Sequence, residues 1–372
     1  MERFVFLSAV QYTNCLSGRT RRLADLLAAM GHDVTFVDMP SVTATLRRIF
    51  CGERRSQNSA GVRTILLPPF PGYFRLHRSA AARIWVQLIR RRLIHRIPQL
   101  DSATLIVSTP WWLPVIRDLP RRLLCYDYID HLTVHCAGRP AQVLVGWDES
   151  LLRICDRVTT VSEPLRQSLR QRVDPSRIRL IANAVERSWI EHPPDPIPRR
   201  QIVGGSARPI AGFLGALFEW VDIELLAAVA ARMPEITFAL VGPTRSGIDV
   251  SRLKALANVR FFPAQPYADV PRWIGAFDVC LIPFKDDIIS RCADPIKIYE
   301  YLALGKPVVS SVPFASGDDP PPMLIGDSPD AFVRCIRAAL CDEHGREARI
   351  EFARRHTWDK CAASLLSALA PA

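Results

Sequence analysis

Short apolar runs alternate with amphipathic helical stretches along this chain of 372 residues, in two series parted by a proline-rich break. Before the break, Phe4–Leu7, Val34–Val37, Thr104–Ser108, Leu123–Tyr126 and Val158–Val161 read as strands. After it come Ile210–Leu214, Ile236–Val241, Val259–Phe262, Val279–Pro283 and Val308–Val312. Strands this apolar need cover on both faces, and the intervening helices supply it, which is the pattern of a parallel α/β sheet. The break, residues 191–200, holds four prolines in ten positions and predicts a stiff linker. The expectation is therefore an α/β fold of two doubly wound domains, 1–190 and 206–350, joined by 191–205, with a helical tail at 351–372.

The stretch from Asp294 to Ser310 is the most specific in the chain. Asp294 suits a helix N-cap, Pro295 the first helical position, Gly305 a left-handed closing residue, and Pro307 prevents a restart. Inside lie Lys297 and Glu300, about 60° apart around the helix axis and roughly 4.5 Å apart along it. An amine in the first turn favours a phosphate, where the helix dipole already points its positive end. A carboxylate one turn deeper accepts hydrogen bonds from sugar hydroxyls. The competing reading is a solvated pair worth only ~0.2–0.5 kcal/mol. Against it, the chain has only five lysines among 48 basic residues, and two of them, Lys297 and Lys306, fall in this segment.

The whole string resembles the nucleotide-binding helix of GT-B glycosyltransferases, most closely that of bacterial enzymes of the teichuronic-acid, family 1/4-like type. The resemblance extends to Gly212-Phe-Leu-Gly215-Ala-Leu-Phe-Glu-Trp-Val-Asp222 and, more loosely, to residues 1–185. It implies two Rossmann-like domains facing a central cleft, with Trp358–Leu369 crossing back to the first. It also implies that Glu300 holds the donor's ribose and that Asp294 and Lys297 belong to the donor site. Gly215 and Ala216 then offer backbone N–H groups to a diphosphate, although tight strand exits use glycines too. Gly242 borders the base or simply makes a turn.

No Asp-x-Asp sequence and no metal-ligand spacing of His with Cys or Glu is present, so no metal is expected. Lys297 and helix termini would stabilise the leaving nucleoside diphosphate instead. No cofactor is expected beyond the co-substrate, a nucleotide sugar, with a UDP-sugar favoured. The function implied is sugar transfer to a glycan or lipid-linked acceptor in bacterial surface polysaccharide or glycoconjugate synthesis. A nucleotide-sugar 2-epimerase of the same fold, or a non-catalytic sugar-nucleotide-binding protein, stays open.

In the first half, Cys125-Tyr-Asp127-Tyr-Ile-Asp130-His131 lies just past a strand's carboxyl end, where ligands of doubly wound sheets bind. Asp130, then Asp127 and His131, are the candidates for taking a proton from an acceptor hydroxyl; the alternative is that both carboxylates merely bond turn backbone. Trp111 and Trp112 would stack on sugar rings or sit in the core, and Gly18, in the loop leading into a first helix from about Arg19, lies on the acceptor side.

Charge divides unevenly. Residues 1–190 carry 28 Arg and no Lys against 15 acids, +13, whereas 191–372 sum to −2. The arginine-rich helix Arg83–Arg96, with aliphatics and a Trp between the charges, reads as a contact for an anionic membrane surface or as a solvated helix. Nucleic acid is not expected, since the aromatics form no stacking pattern. Ten cysteines without a Cys-x-x-Cys pair point to small core residues, and no apolar run is long enough to span a bilayer. The expected location is cytoplasmic, peripheral at the inner face of the plasma membrane if the basic helix docks there.

Overall fold

The computed structural model describes residues 1–8, 11–12, 18–38, 61–69, 77–132, 141–315, 317, 319–342 and 344–370. The chain forms two compact units, 1–181 with 361–372, and 182–360.

The first unit holds β1 (Arg3–Leu7), α1 (Gly18–Ala29), β2 (Asp33–Asp38), β3 (Arg63–Leu66), α2 (Ala80–Arg96), β4 (Thr104–Val107), α3 (Leu113–Ile116), β5 (Leu123–Tyr128), α4 (Ala141–Ile154), β6 (Arg157–Thr160), α5 (Glu163–Arg170) and β7 (Ile178–Leu180). Its seven strands are all parallel in the order β3-β2-β1-β4-β5-β6-β7. Phe4 faces Val34 on one side and Thr104 on the other, so strand order reverses between β1 and β4. β1 and β4 are buried along almost their whole length, as their unbroken apolar sequences require.

In the second unit β8 (Ile210–Leu214), α6 (Ile223–Arg232), β9 (Thr237–Val241), β10 (Val259–Phe262), α7 (Val270–Ala276), β11 (Val279–Ile282), α8 (Ile288–Cys292), α9 (Ile296–Ala303), β12 (Val308–Ser310), β13 (Leu324–Ile325), α10 (Pro329–Leu340) and α11 (Arg346–Arg355) follow. Strand order is β10-β9-β8-β11-β12-β13, again all parallel, with the reversal between β8 and β11. α6 starts where Asp222 accepts the backbone N–H of Leu225 at 2.9 Å. Both sheets are thus doubly wound, each with one crevice at its point of reversal, where ligands of such sheets bind.

The units divide at Ile181/Ala182, not near 190. Val185 already belongs to the second unit, pairing with Thr357, and Trp189 is 7% exposed in that unit's core. The proline stretch is docked along α7: Ile197 donates to the Arg272 carbonyl at 3.0 Å, and its side chain is buried. Prolines leave few donors to satisfy, so the segment lies on the second unit as an extended strap. α12 (Trp358–Leu369) carries the chain back, residues 361–372 grouping with the first unit. Five of the seven described cysteines are buried. Among the described residues no helix is long and apolar enough to cross a membrane.

Candidate functional site

At the reversal of the second sheet, two turns pack backbone against backbone. Gly215 follows β8 at φ +148°, and Gly242 follows β9 at φ +142°, conformations that side chains resist. The Gly215 N–H donates to the Val241 carbonyl at 2.8 Å, and a Cβ at Gly242 would stand 2.2 Å from the Gly215 oxygen. A Cβ at Gly215 would in turn meet the Lys297 Nζ at 2.8 Å. A side chain at Gly242 would strike backbone, and one at Gly215 would have to push the lysine aside.

α9 brings the lysine there. Ile298, Tyr299, Tyr301 and Leu302 bury its apolar faces, and no side chain caps its first turn. Gly305, at φ +69°, closes it: the Gly305 N–H reaches Leu302 O at 2.9 Å and the Lys306 N–H reaches Tyr301 O at 3.1 Å. The Lys306 amine turns away to the carbonyls of Gly275 and Phe277, both at 2.7 Å, so it closes α7. Tyr301 pins α9 to the sheet, its hydroxyl taking the Leu214 N–H at 3.0 Å. One turn earlier, Lys297 projects over the same strand end.

Its Nζ lies 4.2 Å from the Phe213 ring centroid and 5.1 Å from that of Phe284, the residues flanking the β8/β11 crevice. Among the described residues it has no hydrogen bond or ion pair. Burial lowers the amine to about 8, with Glu300 pulling the other way. Aromatic faces recover part of the lost hydration. An anion would recover more. Glu300 is 7% exposed, one turn deeper on the helix.

Asp294 is not the N-cap. Pro295 occupies that position, and the Asp294 carboxylate accepts the Asn183 backbone N–H at 2.6 Å and the Tyr299 hydroxyl at 2.8 Å. A buried carboxylate takes the best donors in reach, and those were the Asn183 N–H, far away in sequence, and the Tyr299 hydroxyl rather than the free N–H groups of the first helical turn.

In the first unit the candidates separate. Asp127 is 1% exposed and engaged by Arg19 through Nε at 3.1 Å and Nη2 at 3.3 Å, and by the Thr159 hydroxyl at 2.7 Å. It is a structural carboxylate. Asp130, past the end of β5 and of intermediate exposure, is raised to about 6 by burial and then by the charge of Asp127. Beside it His131 is lowered by burial and by Arg172, against the opposing charge of Asp148. Asp148, fully buried, holds Arg172 in an ion pair and takes the Tyr126 hydroxyl at 2.8 Å. Trp112 is 2% exposed and donates to the Ser8 carbonyl at 2.9 Å, which makes it core. Trp111 keeps intermediate exposure, and Gly18 begins α1. No three His, Cys, Asp or Glu side chains converge among the described residues.

Solved structures share this architecture. Sucrose-phosphate synthase from Thermosynechococcus elongatus superposes at TM-score 0.74 with 16% identity over 99% of this chain and 98% of that one. Anabaena HepE, in complex with UDP and glucose, gives 0.69 with 17% identity over 99% of each. The profile of Glycosyltransferase Family 4 matches residues 18–189, and that of Glycosyl transferases group 1 matches 208–342. The chain is a GT-B glycosyltransferase. A Bacillus subtilis protein named as a teichuronic acid biosynthesis glycosyltransferase, TuaH, is 28% identical over 253 residues, a match spanning 63% of this chain and 63% of that relative.

Within this GT-B glycosyltransferase, Gly215, Ala216, Gly242, Lys297 and Glu300 gather at one crevice. Asp130 and His131 gather at the other unit's β5 edge, while Asp127, Asp294 and Trp112 hold structure. Sequence reading missed Phe213, Phe284 and Tyr301. Tyr301 stands four residues after Lys297, hence on its face, and that spacing could have found it. Phe284 also lines a cavity of about 340 Å³ with Asp222, Ser311 and Asp327, which no motif announces.

Proposed function

We propose that the protein transfers a sugar from a nucleotide-sugar donor, a UDP-sugar by preference, to a glycan or lipid-linked acceptor in bacterial surface polysaccharide or glycoconjugate synthesis. The observation that carries this is the Lys297 amine, without a partner among the described residues, beside two positive-φ glycine turns at the sheet's point of reversal. The donor diphosphate would lie on the backbone of Gly215, Ala216 and Gly242, with Lys297 beside it and Glu300 accepting ribose hydroxyls. Asp294 serves this site indirectly, by anchoring the start of α9.

In the reaction the bond between the anomeric carbon and the diphosphate oxygen breaks, and the acceptor oxygen bonds to that carbon. The nucleoside diphosphate leaves with the electron pair, stabilised by the ammonium of Lys297 in the role a divalent ion could otherwise take. The acceptor proton goes to Asp130, ionised above about pH 6, with neutral His131 as the neighbouring acceptor. The UDP and glucose in the HepE complex and the teichuronic-acid name of TuaH support the donor and pathway readings.

Incubation with a panel of nucleotide sugars and a lipid-linked or oligosaccharide acceptor tests it. Free nucleotide with glycosylated acceptor is the expected outcome. An isomerised donor would make the protein an epimerase, and saturable binding without turnover would make it a binding protein.

A further inference from the structure

Helix α2 (Ala80–Arg96) carries apolar side chains on both of its faces, and among the described residues only one face is covered. Ala82, Val86, Ile89 and Leu93, spaced i, i+4, i+7, i+11, are buried. Ile84, Leu88, Arg91 and His95 repeat the same spacing on the opposite side, about 180° away, and all four are exposed. Ile84 is 61% exposed, Leu88 56%, and Ile94, on the flank, 49%. Of the ten large hydrophobic residues exposed among the described residues, these three share one helix, Leu324 and Ile325 are neighbours in β13, and the other five are scattered. Single exposed aliphatics need no explanation, but a row of them does.

The charges around the row are of one sign. The helix has five arginines and no acid. Arg83, Arg91 and Arg92 are exposed. Arg90 is otherwise engaged: it donates to the carbonyls of Val115 at 2.9 Å and Pro114 at 2.5 Å and pairs with Asp118 at 2.6 Å. Trp85 likewise donates to the Pro68 carbonyl at 3.1 Å. The arrangement is an aliphatic ridge edged by cations, with its fastening residues turned elsewhere.

We infer that the outer face of α2 lies flat on an anionic lipid bilayer, with Ile84, Leu88 and Ile94 entering the acyl boundary and Arg83, Arg91 and Arg92 meeting headgroup phosphates. A membrane fits because its surface offers apolar depth and negative charge together, in the order the helix presents them. A nucleic acid would satisfy the arginines and leave the ridge wet. A second copy would bring the same arginines face to face. The inference does not rest on the glycosyl-transfer reading, since its readout needs neither donor nor acceptor.

The test is sedimentation of the full chain with vesicles of phosphatidylcholine alone or in equal parts with phosphatidylglycerol, at low and high salt. Wild type should pellet with the anionic vesicles only, less at high salt. Arg91→Gln with Arg92→Gln should weaken partitioning about thirty-fold, the size of two surface charges. Ile84→Ser with Leu88→Ser should weaken it at least about tenfold and leave the remainder more salt-sensitive. All side chains changed are exposed, and unchanged thermal melting checks the fold. Arg153→Gln with Arg170→Gln, exposed arginines elsewhere in the same unit, should leave partitioning nearly unchanged. Equal losses from both arginine pairs would reduce the effect to net charge and overturn the assignment to α2. An aliphatic variant that binds like wild type would overturn insertion. Lipid-free self-association abolished by Ile84→Ser with Leu88→Ser would assign the ridge to a second copy instead.

Discussion

The edge of β8 and β11 and the edge of β5 and β6 treat charge in opposite ways. In the second unit one amine, Lys297, is drawn out of water among aromatic rings and bare backbone, with no acid in ion-pair reach among the described residues. In the first, Arg19 closes on Asp127 and Arg172 on Asp148, with Thr159 and Tyr126 filling the remaining lone pairs. Charges that satisfy one another hold a fold together. A charge left wanting a partner weakens the fold and stores affinity for a ligand. Asp130 falls between the two: burial, and after it the charge of Asp127, holds it protonated up to about pH 6.

The largest break in this comparison should come from Arg19→Met. It leaves Asp127 buried and unpaired and should destabilise the protein by ~3–5 kcal/mol in urea or thermal unfolding. Adding Asp127→Leu should restore much of the loss. If the single variant melts like wild type, the first edge is not self-satisfied in the sense described.

Lys297→Met should act with the opposite sign on stability. Turnover with a nucleotide sugar should fall about 10²–10³-fold, ~2.7–4 kcal/mol in the transition state. Stability at pH 7 should rise by about 1–2 kcal/mol, allowing for the partial solvent exposure of the amine. The sign follows from the lowered amine: below about pH 8 the native state carries a proton it disfavours, and the variant removes that penalty. The gain should fade as pH rises from about 8 towards the ordinary lysine value, 10.5. A variant less stable than wild type at neutral pH would contradict the contrast between the two edges.

Glu300→Ala should weaken donor affinity by ~1.5–3 kcal/mol, the range of a hydrogen bond to a charged group. Calorimetry on the folded variant reads it directly, and unchanged affinity removes Glu300 from the ribose. The smallest effect expected is on the pH profile. kcat/KM should climb through about pH 6 as Asp130 ionises and decline above about 8 as Lys297 loses its proton. Asp127→Asn removes a neighbouring negative charge, so it should move the acid limb to lower pH and leave the alkaline limb in place.

The second site was legible in the sequence because it is local. Lys297 and Glu300 occupy one helix and Gly305 closes it, so their relations follow from 100° per residue and one left-handed closure. Gly215 and Gly242 announced turns, but not that the backbone of Gly215 leaves no space for a side chain at Gly242, a fact of strand adjacency. The first site was read less well because its partners are distant: Arg19 finds Asp127, 108 residues on, and no spacing rule predicts that. Asp294 misled for a related reason. The chemistry that suits a carboxylate to cap a helix suits it equally to bind Asn183 and Tyr299. Among strands, β13 was invisible, since Leu324 and Ile325 are both exposed and too few to show a period.

The division of the first unit into 1–181 and 361–372 sets an order of events during synthesis. Cys361 approaches the Arg19 Nη1 at 3.7 Å, and Ala362, Leu365 and Leu369 are buried. None of those side chains exists when residue 181 has been made. The whole of 182–360 must be translated first, which at about 5–20 residues per second takes roughly 10–35 s. For that interval the surface destined for these residues stays wet on the nascent chain, and the second unit completes its own residues, at 360, before the first unit receives its last ones. The half of the protein that leaves the ribosome first is therefore the half that is finished last, and it is there that a trigger-type chaperone has longest to act.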